Sequence, residues 1–229
     1  MVFAMADSRQ HDGPSLALVG TVFVAVLFGG LAIGVALGGV MPLPYGPIAA
    51  VEHYVRSQSL AVQVIAVAMF GSSVPLAVYA ATASARLRTL GVTTAGPTIA
   101  LAGGIVAAGA LGLSGLVGWI LSRPEVSADA AVVRALYLLV FLAGGPGHVV
   151  ALGLLVAGMA VPGLGLGLLP RSLARVGLVI AGLAESTMLV LIWPALGPIL
   201  PVARVAAMVW LLVAGARLPR RRNSSSATT

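Results

Sequence analysis

The chain has 229 residues, 59% hydrophobic and 8% charged, with a mean hydropathy of +1.08, so it is a polytopic membrane protein with no room for a separate soluble domain. Its net charge of +7 comes from 13 arginines; lysine and cysteine are absent. That excludes a lysine Schiff base, a P-loop ATPase, disulfides, thiolate metal sites and cysteine nucleophiles.

Residues 1–14 are polar and mixed in sign, without the basic start and small-residue cleavage site of a signal peptide, and are expected to remain as a short N-terminal segment. A first transmembrane helix is predicted over 15–40, uncharged throughout. Gly30, Gly34 and Gly38 recur along one of its faces. Small residues at this spacing let helix backbones approach closely in lipid, either within one chain or at a homodimer seam.

Pro42, Pro44 and Pro47 end that helix. Glu52, His53, Tyr54 and Arg56 follow in a stretch suited to a short interfacial helix, with Tyr45 and Tyr54 at headgroup depth and His53 solvated. The second span is predicted over 60–85, with Pro75 freeing a carbonyl one turn earlier for Ser72 and Ser73 to help satisfy. The third is predicted over 97–121, where Gly104, Ala108 and Gly112 form another small-residue face.

The fourth span, 135–161, contains Gly144-Gly145-Pro146-Gly147 followed by His148. Two helix-breaking residue types at membrane depth imply a kinked or unwound segment that must face the bundle interior, because lipid cannot satisfy freed backbone groups. Pro162 and Gly163 are expected to make the next turn, and the fifth span, 176–193, carries Glu185, Ser186 and Thr187. The sixth is predicted over 202–218, with Arg204 snorkelling to its interface, and residues 219–229 form a basic, serine-rich tail expected to be disordered. The fold class is therefore an all-α bundle of six transmembrane helices.

Nine arginines fall on the side of the termini (Arg9, Arg86, Arg88, Arg171, Arg175, Arg217, Arg220, Arg221, Arg222) and four on the other (Arg56, Arg123, Arg134, Arg204). This bias puts both termini in the cytoplasm of a bacterial inner membrane. It also accounts for the positive charge without nucleic acid, for which no aromatic-basic platform exists.

Counting along antiparallel neighbours places His148 and Glu185 both near the midplane. An imidazole and a carboxylate that meet there form a site for a shared proton or a cation, or else satisfy each other while Ser186 and Thr187 bond backbone. No catalytic residue, metal or cofactor is expected: the ligands for zinc, copper or haem do not converge. Gly112-Leu113-Ser114-Gly115 resembles the Gly-x-Ser-Gly of rhomboid intramembrane proteases. The implied base, His148, sits roughly 10 Å deeper than Ser114, which argues against a protease.

Leu169-Pro170-Arg171-Ser172-Leu173, with Met208-Val209-Trp210-Leu211 in the last helix, resembles a family of uncharacterised bacterial multi-pass membrane proteins with a Leu-x-Pro-Arg-Trp-Leu turn before the fifth helix. Ser172 replaces the usual tryptophan. The resemblance covers the C-terminal third and implies a six-helix inner-membrane protein without an activity. Two functional readings follow. One is a proton-linked carrier of a small solute or ion using His148 and Glu185; the other is an accessory protein that docks a membrane partner, or a second copy, through the glycine faces.

Overall fold

The computed structural model describes residues 14–219, and among these every regular element is helical. The expectations for the first thirteen residues and for the tail from 220 onward, with Arg9 and Arg220 to Arg222, lie outside the described residues. Six helical stretches are long and apolar enough to cross a membrane. They are α1 (Leu16–Gly38), α3 (Ser59–Thr89), α4 (Gly96–Leu121), the composite of α6 (Ala130–Leu142) and α7 (His148–Gly165), α8 (Arg171–Ser186) with its extension, and α9 (Ile199–Arg217). Two short helices, α2 (Ile48–Ser57) and α5 (Pro124–Ser127), lie in the connections.

Several boundaries differ from the sequence expectation, each for a local reason. The fourth span runs on through Pro162 to Gly165, because a proline removes only its own N–H from the ladder. The chain reverses instead at Gly167, whose φ of 64° is in the left-handed region that glycine adopts readily. The fifth span starts at Arg171, directly after Pro170. The sixth starts at Ile199 because Pro201 falls in the first turn, where its missing N–H costs nothing. At 31 residues α3 is about 46 Å long, well beyond the hydrocarbon thickness of about 30 Å, so Arg86 and Arg88 ride on its protruding end. Within α3 the hydroxyls of Ser72 and Ser73 donate to Met69 O (2.9 Å) and Phe70 O (2.6 Å), not to the Gly71 carbonyl that Pro75 leaves free.

The spans close into a ring in the order α1, α3, α4, α7, α8, α9 and back to α1, and a glycine lies at each contact. Gly30 meets Ala68 and Gly34 meets Ile65 where α1 crosses α3; Gly104 meets Ala80 where α3 meets α4. A methyl group on Gly103 of α4 would lie 2.7 Å from Leu155 N of α7, and one on Gly153 of α7 would lie 2.8 Å from the Ala184 Cβ of α8. Gly177 of α8 lies against the Trp210 ring of α9, and Gly20 of α1 against Leu212. The glycine stripes therefore pack within the chain, in keeping with the small-residue logic of helix association in lipid.

Tyr79 of α3 is almost wholly buried, and its hydroxyl crosses the bundle to donate to Leu211 O of α9 at 2.7 Å. Trp210 Nε1 donates to Leu173 O of α8 at 2.8 Å. At the end opposite the termini, Tyr54 turns inward and donates to Gly39 O at 3.2 Å, while Tyr45 stays exposed with its ring edge-on to Phe141. Arg56 ties α2 to the far loop through Ser127 O (2.7 Å) and Ala128 O (3.1 Å), and His53 is exposed.

These close approaches are testable by adding volume. Gly103→Val is expected to destabilise the protein by about 1 to 3 kcal/mol through overpacking against α7 backbone. Gly29→Ala, at an exposed site with nothing within 4 Å of the added carbon, should be neutral or slightly stabilising. Thermal unfolding in detergent measures both, and equal losses would contradict the packing described.

Candidate functional site at the broken fourth span

The break in the fourth span is a π-helical turn over Ala143–Gly147. Pro146 has no N–H to offer the Leu142 carbonyl, and Gly145 leaves helical geometry altogether at φ −88° and ψ −105°. The His148 N–H then bonds to Ala143 O and Gly145 O, skipping Gly144 O. Two side chains from other spans donate to carbonyls at and just before the break. Ser114 of α4 donates to Val140 O at 2.8 Å, and Arg204 of α9 donates through Nη2 to Gly144 O. Gly144, Gly145 and Pro146 are buried in the bundle, as the physics of freed backbone in lipid requires.

Arg204 does not snorkel outward. Along α9 the valines at 202, 205, 209 and 213 form the exposed stripe, and Arg204 belongs to the opposite face, one turn and two turns before the buried Ala207, Met208 and Leu211. A guanidinium on that face meets the break rather than the interface. Its Nε is buried without a hydrogen-bond partner.

His148 and Glu185 do not meet. The His148 ring is fully buried and Nδ1 lies 2.9 Å from Ala107 O of α4. A carbonyl only accepts, so Nδ1 carries the proton and Nε2 is left as the acceptor; it too is buried without a partner. The position facing α8 is taken by the next residue, Val149, which clusters with Ala184, Val190, Leu200 and Ala203. Glu185 comes level with Gly153 instead: a methyl there would lie 3.3 Å from Oε1. That is about 7.5 Å further along α7 than His148. Matching depths were not enough, because residues five apart on a helix also point in different directions.

Glu185 Oε1 is buried and without a partner. Ser186 and Thr187 donate to Leu183 O (2.7 Å) and Ala184 O (2.6 Å), where α8 tightens into a 3₁₀ segment, Thr187–Leu191. The Ser114 hydroxyl is engaged with Val140 O and His148 with Ala107 O, so the rhomboid-like Gly112 to Gly115 stretch serves packing and backbone satisfaction. Among the described residues no three His, Asp or Glu side chains gather to hold a metal.

Six apolar spans around a buried polar break define an integral, multi-pass membrane protein. Compared with protein-family models, with curated proteins and with solved structures, the chain matches none.

Separation of His148 and Glu185 has an energetic signature. His148→Ala is expected to cost about 1 to 3 kcal/mol, because a fully buried ring and its hydrogen bond to Ala107 O are lost together. The losses from His148→Ala and Glu185→Ala should add to within about 0.5 kcal/mol in a double-mutant cycle. A coupling energy clearly larger than that, measured by thermal unfolding in detergent, would mean the two residues interact.

Proposed function

We propose that the protein is a proton-linked carrier of a small solute in a bacterial inner membrane, with both termini in the cytoplasm. The observation behind this reading is the wholly buried His148 ring at the helix break, its tautomer set by Ala107 O and its Nε2 left open. A neutral imidazole with a free lone pair at membrane depth is suited to taking and releasing a proton. Broken helices that open backbone and side-chain polar groups inside a bundle are how many carriers build a central site.

Glu185 contributes a second unpartnered polar atom on the neighbouring span. It is a candidate for a separate stage of proton movement and not for a shared proton with His148. The arginine bias supports the orientation, and the family-like turn at Leu169 to Leu173 fits a bacterial membrane protein. Gly30, Gly34, Gly104 and Gly112 all face α3, so a docking face for the accessory reading would lie elsewhere on the bundle.

Purified protein in vesicles is expected to accumulate at least one solute from a panel of small organic acids, amino acids and sugars when the interior is alkaline. Collapsing the pH gradient with a protonophore should stop uptake, and His148→Gln should reduce it at least about tenfold. Uptake that ignores both treatments overturns the proton linkage. For the orientation, a reporter at the C-terminus is expected on the cytoplasmic side and one in the Arg123 to Asp129 loop on the outer side. The reverse result overturns it.

A further inference from the structure

Arg204 lies inside a membrane span with no carboxylate paired to it among the described residues; it gives Nη2 to Gly144 O and has Nε unpaired and buried. A desolvated cation in this setting is costly unless an anion accompanies it. One helical turn beyond Gly144 stands His148, fully buried, with Nε2 empty. α4, which holds the other side of the imidazole, presents only the Ala107 carbonyl, having no ionisable side chain along its length. Glu185 of α8 stands further along, at the level of Gly153.

We infer that Arg204 and His148 together form a binding site for a small monocarboxylate anion that is taken up with one proton. This rests on the carrier reading above and gives its solute a chemical class. The planar guanidinium fork matches two coplanar carboxylate oxygens, and the His148 Nε2 lone pair accepts the proton. The charges balance: Arg204 alone carries +1, and Arg204, a protonated His148 and the anion together again carry +1. Loading therefore brings no net charge into the bilayer, where each uncompensated charge is expensive. The like charges of Arg204 and protonated His148 repel, and an anion between them replaces that repulsion with two attractions. Anion and proton thus favour each other's binding, the reciprocal linkage a symporter needs.

The test uses the full chain purified in detergent, with sodium acetate as probe, acetamide as its neutral isostere and sodium chloride to match ionic strength. Acetate at about 100 times its dissociation constant is expected to raise the Tm by about 5 °C, and acetamide to leave it unchanged. In weakly buffered solution near pH 7, each bound acetate should remove one proton from the medium. Arg204→Lys keeps a charge but not the fork, and should weaken acetate binding at least about tenfold. His148→Gln should abolish the proton uptake. The acetate and acetamide comparison and the proton count need no variant, so they hold if either substitution prevents folding. No response to acetate, or an equal response to acetamide, overturns the anion site. If uptake in vesicles still depends on the pH gradient and His148, the carrier reading survives that failure. If such uptake is missing as well, both fall.

Discussion

Backbone hydrogen bonding in a medium without water is the constraint from which the rest of this structure follows. A carbonyl released inside the bilayer must find a donor from the protein, and at the break over Ala143–Gly147 the His148 N–H passes over Gly144 O. Arg204 answers at Gly144 O, and Ser114 adds a second donor to Val140 O, which also accepts from the Ala143 N–H. These two bonds place α9 and α4 on either side of the break. They also hold the start of α7 where His148 can reach Ala107 O.

Close helix approach supplies the second level of organisation. Hydrophobicity does not separate a helix neighbour from a lipid tail, so contact area and fit decide association. Glycines at Gly30, Gly103, Gly153 and Gly177 let each span lie against the next. The consequence for the site is positional: α4 and α7 run close enough for a main-chain oxygen to fix an imidazole tautomer. A polar group is thereby oriented without an ionisable partner.

Much of the architecture was legible in the residues. Apolar run length revealed six spans, and Gly-Gly-Pro-Gly beside a histidine revealed the break and its inward face. The ends were harder, because Pro162 reads as a stop yet is tolerated inside its helix, and Pro201 falls within the first turn of α9. The His148 and Glu185 pairing failed because depth is one coordinate and helical direction is another. Arg204 was visible as a residue but misjudged as a role. The valine stripe at 202, 205, 209 and 213 was the available signal that Arg204 faces inward, yet in a uniformly apolar helix hydropathy alone does not distinguish lipid-facing from buried positions.

The cross-bundle bonds made by α9 bear on how the protein is manufactured. Translation delivers this helix after the other five spans, yet Tyr79 of the second span, Gly144 of the fourth and Leu173 of the fifth all find partners on it. A nascent chain that stops short of Ile199 holds a phenol and the Gly144 carbonyl without their cross-bundle partners. The growing bundle must therefore shelter them, in the insertion machinery or in the wetter interfacial layer, until α9 is in place. Closure of the ring therefore waits for α9, while α1, α3, α4, α7 and α8 can pack as they emerge. A chain halted before α9 would leave the Tyr79 hydroxyl and the Gly144 carbonyl open inside the bundle.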